Sequence, residues 1–280
     1  MRFLRQSTNN IKINNKPSRI IDTISNQDIL SLKLDFIPSL PNKIKYDTIC
    51  STSSLHNTLN ILYEDDFFLI INKPSLLATI PSKSHYTDNL LKRILLYYQR
   101  NKINSNNNTP RIINRLDYDT AGIIIVFKNL FICSLLEECR IYKTYFALCE
   151  GYCQNKLKIS KNILTLKNSD GVNIIKRVTG KKDLKTVTYA KPIWNNIKNN
   201  LTLFEVNIKG GKTHQIRVHL SSVNLPIIAD KIYGKPHNKI KHTLLVCKKI
   251  KIFHPLLKKY IHLEIPFEKD FLKFLKENSY

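Results

Sequence analysis

From Ile61 onward, short apolar runs alternate with polar punctuation at a spacing that suits strands more often than helices. Ile61–Tyr63 and Phe67–Asn72 read as strands around the acidic turn Glu64-Asp65-Asp66. Asp88–Arg100 reads as a helix, with Asp88 at a capping position and Leu91, Ile94, Leu95 and Tyr98 on one face. Ile123–Phe127 is an unbroken run of strand-forming residues, the pattern of a strand buried on both faces. Leu130–Arg140 reads as a second helix. Beyond it strands dominate, over 143–149, 157–164, 173–178, 185–193, 201–209 and 243–253, interrupted by one helix starting near Thr213. Phe267–Lys276 closes the chain as an amphipathic helix. Many strands with few helices between them predict an α+β fold rather than a doubly wound sheet.

Before Ile61 the pattern is looser. Ile11-Lys12-Ile13-Asn14-Asn15-Lys16-Pro17 alternates and then turns at the asparagine pair. Residues 36–60, with early prolines followed by serine and threonine, read as a linker. The expected organisation is a small basic segment over 1–35, the linker over 36–60, and one large domain over 61–280.

Charge then narrows the partners. Of the 280 residues, 45 are Lys or Arg and 21 Asp or Glu, a net charge of +24. Each phosphate neutralised by a basic side chain releases a condensed counterion, so such a charge favours a polyanionic partner. Part of the excess has a plainer origin. Lys outnumbers Arg 35 to 10 and glycine is down to seven, as AT-rich coding would produce. The surviving glycines are therefore informative, because they stand where a side chain does not fit or φ is positive. No apolar run approaches the roughly 18 residues of a membrane span, and Met1–Asn10 lacks a signal-peptide core. A cytoplasmic protein with reduced cysteines is expected. The six cysteines show no CxxC pair, and the eight histidines show no metal-binding spacing, so no metal is expected.

Three segments concentrate chemistry. In Asn114-Arg115-Leu116-Asp117-Tyr118-Asp119-Thr120-Ala121-Gly122, two carboxylates, an arginine and a scarce glycine fall between a polar loop and the buried strand. A scaffolded loop of this kind is where reactive groups often sit, and a plain turn capped by its own Asp and Thr is the alternative. In Lys143-Thr144-Tyr145-Phe146-Ala147, strand alternation puts Lys143 and Tyr145 on one side and Thr144 and Phe146 on the other. Tyr145 then stacks a base, holds a proton-transfer hydroxyl, or simply fills core. Gly210–Leu220 places a glycine pair before Thr213, a candidate N-cap, and puts Ile216, Leu220 and Val223 on an inward stripe. His214, Arg217 and Ser221 share another face, where Arg217 can meet a carboxylate from elsewhere, and a helix N-terminus behind two glycines favours phosphate approach. A surface basic helix fits this segment equally well.

Together these segments resemble the RluA family of RNA pseudouridine synthases, whose H-R-L-D-x-D-T-S-G, K-x-Y-x-A and G-R-T-H-Q-I-R-V-H segments occur in this order. Weaker echoes are Tyr63–Asp66 followed by Asn72-Lys73-Pro74, Pro226–Gly234 with Asp230 and Tyr233, and Phe253-His254-Pro255. The resemblance covers roughly residues 61–268 and is nearest the RluC branch, which acts on large-subunit ribosomal RNA. Residues 1–35 are similar to the C-terminal half of an S4 RNA-binding domain. Four departures stand out: Asn114 for the usual His, Tyr118 for Arg, Ala121 for Ser and Leu76 for a common Gly.

The resemblance implies a mixed, mostly antiparallel sheet with flanking helices around a central cleft, and isomerisation of uridine to pseudouridine with no cofactor. It implies Asp117 as nucleophile, Arg217 as its partner and Tyr145 against the flipped base. A nearby opposite charge favours an ionised carboxylate. Arg115 matches the residue that displaces the target from its stack. Lys73, Lys143, Lys212 and His214 are expected to contact RNA, Lys73 and Lys143 as phosphate or support contacts lining the same cleft. Ribosomal RNA is the expected partner, with no membrane, no protein partner and a monomeric state. An inactive RNA-binding assembly factor, or the same chemistry on tRNA or another RNA, is the alternative.

Overall fold

The computed structural model describes residues 11–18, 22–23, 25–32, 59–82, 84–101, 110–128, 139–166, 176–180 and 186–279. Strands β1 (Ile11–Ile13), β2 (Lys16–Pro17) and β3 (Leu30–Leu32) form a small antiparallel sheet in the order β2-β1-β3. Its first turn is the expected asparagine pair, with φ 51° at Asn14 and 65° at Asn15, which matches the twist of a tight hairpin. The linker lies outside the described residues up to position 58, and Asn60 already belongs to a strand of the main sheet.

That sheet contains β4 (Asn60–Glu64), β5 (Phe68–Lys73), β6 (Arg111–Ile112), β7 (Ala121–Phe127), β8 (Ile141–Glu150), β9 (Leu157–Ser160), β12 (Val187–Asn196), β13 (Leu201–Lys209), β14 (Leu245–His254) and β15 (Lys259–Glu264). Its main path runs β4-β5-β7-β14-β8-β13-β12-β9, with β15 beside β14 and β6 beside β7. All of these pairs are antiparallel except β7 with β14, where Ala121 faces Val246 and Gly122 faces Cys247. The fold is α+β, as the spacing of strands and helices predicts.

Residues 157–164, expected as one strand, divide at Lys161. Leu157–Ser160 joins the main sheet, and β10 (Asn162–Leu166) pairs with β11 (Lys176–Gly180) in a separate hairpin. The helix expected over 130–140 lies outside the described residues up to position 138, as do Cys50 and Cys133.

Burial explains the elements. Every residue of β7 is buried, so its unbroken apolar run packs on both faces. Helix α1 (Leu90–Arg100) is capped by Asn89, not Asp88: Asn89 Oδ1 accepts from the Lys92 N–H at 3.0 Å, and Asp88 instead pairs with Arg93. The inward face shifts accordingly to Leu90, Ile94 and Tyr98. Burying a Leu or Ile side chain contributes about 1.5–3 kcal/mol, which outweighs the weak propensity of so short a helix. Helices α2 (Gln215–Ser221) and α3 (Lys269–Glu277) complete the described helices, and none is long and apolar enough to cross a membrane.

Two of the weaker sequence echoes meet as structure. Asp65 Oδ1 accepts from the Phe67 and Phe68 N–H groups and Oδ2 from the Tyr63 hydroxyl, and His254 Nε2 lies 3.1 Å from the same Oδ2. This cluster ties the β4–β5 turn to the end of β14.

Candidate active site

The three chemistry-bearing segments converge on one cleft of about 600 Å³. Asp117 reaches it from the loop before β7, Lys143 and Tyr145 from β8, and Lys212, His214 and Arg217 from the turn and helix after β13.

The Asp117 loop is nailed down by side chains that bond backbone. Asn114 is buried, donating to the Ile123 carbonyl at 2.9 Å and accepting from the Ile125 N–H at 2.8 Å. Thr79 bonds both the N–H and the carbonyl of Leu116. Gly122 follows at φ +132°, and a Cβ there would stand 2.6 Å from the Cys247 backbone N and O. The loop can enter the sheet beside β14 only as glycine.

Arg217 is held from behind. Its Nε and Nη2 donate to Asp230 at 2.8 and 2.7 Å, leaving Nη1 directed at Asp117 Oδ2, 3.3 Å away; Asp119 lies 4.0 Å from Nη2. Both Arg217 and Asp230 are buried, at 2% and 0% exposure. Burial alone would raise the Asp230 pKa, but the N–H bonds and charge of Arg217 and the Ile232 and Tyr233 N–H groups bring it below the ordinary carboxylate value. Burial opposes the charge on Arg217, and its two carboxylate partners more than restore it. Sequence reasoning left Asp230 as an echo, and the structure puts it directly behind Arg217.

The start of α2 departs from expectation. His214, in the left-handed region at φ 58°, precedes the helix in place of Thr213. The Lys212 N–H is already bonded to Gln215 Oε1 at 3.0 Å, so it is not free for the phosphate expected at this turn. The shared face of His214, Arg217 and Ser221 does exist, and it converges on Tyr233. His214 Nδ1 lies 2.9 Å from the Tyr233 hydroxyl, the Arg217 guanidinium stands over the Tyr233 ring, and Ser221 donates to the Tyr233 carbonyl. His214 Nε2 comes within 3.7 Å of Asp117, nearer to the carboxylate than an RNA-contact role requires.

Tyr145 is buried at the cleft floor, and its phenol pKa is driven well above 10 by burial, by the adjoining Cys247 thiol and by the charge of Asp117. Arg115 and Lys212 are exposed on the wall, and Lys143 is half-buried beside them. Lys73 does not join them. It is fully buried, with Nζ donating to the Pro74 and Leu77 carbonyls at 2.8 and 2.7 Å, which corrects its expected role as a phosphate contact in the cleft and leaves the support role. Desolvation brings its pKa from 10.5 down to about 7, despite the nearby charges of Glu268, Asp117 and Asp119. Among the described residues no group of three or more His, Cys, Asp or Glu is placed to hold a metal. A carboxylate beside a fixed guanidinium, next to a buried phenol and under a basic wall, suits attack on, or stabilisation of, an electron-poor carbon in a polyanionic substrate.

Comparison with known proteins places the chain in a family. Residues 67–222 match the family model described as RNA pseudouridylate synthase. An uncharacterised RNA pseudouridine synthase, YhcT, of Bacillus subtilis is 33% identical over 220 residues, covering 77% of this chain and 70% of the relative. Ribosomal large subunit pseudouridine synthase C of Buchnera aphidicola subsp. Baizongia pistaciae is 35% identical over 250 residues, covering 84% and 74%. Human RNA pseudouridylate synthase domain containing 4 shares the fold, with a TM-score of 0.61 at 18% identity over 79% of this chain and 93% of that one.

Proposed function

The chain belongs to the RNA pseudouridylate synthase family, of the RluA type, and on that premise we propose that it converts specific uridines of large-subunit (23S) ribosomal RNA to pseudouridine. The observation that carries the assignment of roles is the Asp117–Arg217–Asp230 array inside the cleft.

A stacked uridine is out of reach of Asp117, so the nucleotide is first flipped, at a cost of roughly a few kcal/mol. Arg115, exposed at the wall, takes the vacated space or a phosphate, since its planar guanidinium suits both. The C1′–N1 bond breaks while Asp117 bonds to, or stabilises, C1′. Uracil turns within the cleft and C5 bonds to C1′. The proton lost from C5 and the proton gained at N1 balance, so the isomerisation needs no co-reactant. Tyr145 is a phenol at rest, so it packs against the uracil and can relay the C5 proton only by releasing its own in the same step. Arg217, fixed by Asp230, keeps a donor on Asp117 and spends no reorganisation during the reaction. The enzyme works as a monomer in the cytoplasm, with Lys143 and Lys212 on phosphates and residues 1–35 as an accessory RNA contact.

Asp117→Asn tests the assignment. The variant is expected to fold and bind RNA while forming no pseudouridine, and product from the pure variant would remove Asp117 as nucleophile. Mapping pseudouridines in RNA from cells with and without the gene tests the substrate. Sites lost from large-subunit RNA support it; sites lost only from tRNA, or from no RNA, overturn it.

A further inference from the structure

The cleft carries one aromatic pair that the reaction does not use. His85 and Tyr118 stack with ring centroids 4.2 Å apart and planes 15° from parallel. Both line the cleft, and Tyr118 remains 39% exposed. Separate elements hold the two rings. Tyr118 directly follows Asp117 on the clamped loop. His85 sits in the turn before α1, where buried Asn89 both caps the helix and donates from Nδ2 to the His85 and Tyr86 carbonyls at 3.2 and 3.4 Å. The His85 N–H is bonded to the Ser82 carbonyl. Arg115, Lys143 and Lys212 surround the same space.

We propose that the His85–Tyr118 stack is a platform for the base adjacent to the flipped uridine, and so a determinant of which uridines are chosen. The proposal rests on the function proposed above. Extruding one nucleotide leaves its neighbour with an unstacked face, and every base has a π-face that an aromatic ring covers. Tyr118 directly follows Asp117 and lines the same cleft, so a nucleotide seated at Asp117 has its neighbour within reach of the Tyr118 ring. A ring already held by its partner loses little freedom on binding. Where the resembled family usually has arginine this chain presents an aromatic ring, and ring-on-base stacking carries no salt dependence of its own.

The test uses the full chain and in vitro-transcribed large-subunit ribosomal RNA of the source cell, at about 50 and about 200 mM salt. Tyr118→Ala is expected to raise KM about 5- to 100-fold by the same factor at both salts, with kcat changed less. Tyr118→Phe recovers most of the loss. In parallel, a short single-stranded RNA with 2-aminopurine beside one uridine, bound to the Asp117→Asn chain, is quenched when Tyr118 is present and not when it is alanine. If Tyr118→Ala does not fold, Tyr118→Leu keeps the bulk without the π-face and gives the same readings. A KM within twofold of the parent, or a rise that vanishes with salt, overturns the platform while leaving the enzyme standing. A parent chain that makes no pseudouridine in any RNA overturns both.

Discussion

Replacing Asp230 by asparagine removes one negative charge and leaves the shape of the side chain almost unchanged. The carboxylate it removes takes four hydrogen bonds, two from Arg217 at 2.7 and 2.8 Å and two from the Ile232 and Tyr233 N–H groups at 3.0 and 3.1 Å. In the variant Arg217 stays buried and charged; the asparagine can still accept one N–H on its Oδ1, but the negative charges left nearby are only Asp117 at 3.3 Å and Asp119 at 4.0 Å. Breaking a buried pair from one side costs about 3–5 kcal/mol, because the surviving charge keeps its desolvation penalty. For a chain of this size that is a fall in Tm of about 6–20 °C. Because Asp230 titrates lower in the folded protein than its ordinary 3.8, its contribution is complete above that value and is lost as pH falls below it. The variant should therefore be less stable at neutral pH and converge on the parent in acid. A guanidinium no longer held on two nitrogens also swings away from Asp117, so kcat should fall at least about tenfold, or 1.4 kcal/mol of barrier. Urea unfolding followed by circular dichroism, at neutral pH and in acid, measures the first effect, and single-turnover pseudouridine formation the second. A neutral-pH stability within about 1 kcal/mol of the parent, with unchanged kcat, would refute the anchoring role of Asp230.

Two further expectations follow from packing and burial. Gly122→Ala places a Cβ 2.6 Å from the Cys247 backbone at φ +132°, so strain and overpacking should together destabilise the chain by about 2–6 kcal/mol; chemical unfolding checks this, and a variant as stable as the parent would mean β7 and β14 are not this close. Lys73, with its pKa brought from 10.5 to about 7, binds its proton more weakly folded than unfolded, so its charge burdens stability below about pH 7 and the burden lifts as pH rises toward 10.5. Lys73→Met should flatten that rise in stability between pH 7 and 10.5, and an unchanged slope would place the lysine in water.

Much of this was legible in the sequence, and what was not has identifiable physical causes. The run Ile123–Phe127 predicted a doubly buried strand because burial on both faces needs no alternation. Asp117, Tyr145 and Arg217 were legible as one site through the resemblance of their three motifs, while the residues alone left a plain turn, core filling and a surface basic helix open. Asp230 carried no such local pattern: it reaches Arg217 through a turn with Ala229 at φ 59°, a tertiary geometry that the one-dimensional pattern does not encode. Lys73 is one of 35 lysines, and nothing in its neighbours separates a lysine bonded to carbonyls from one in solvent. Asp88 and Asn89 are both good capping residues side by side, so propensity alone did not choose between them. Leu76, where the resembled family often has glycine, holds a left-handed backbone at φ 58° despite its Cβ, the conformation a glycine takes without that cost.

The position of β14 in the sheet sets the order in which this catalyst can come into being. It is the one strand on the main path between the half that ends at β7, bearing the Asp117 loop, and the half that starts at β8, bearing Tyr145, and it meets β7 across 125 residues of chain. A nascent polypeptide released as far as α2 has made every reacting group and assembled none of them, because the piece that joins the two halves has yet to leave the ribosome. Long-range closure of this kind folds slowly. Until β14 has docked between β7 and β8, the Asp117 loop and Tyr145 belong to two separate pieces of sheet.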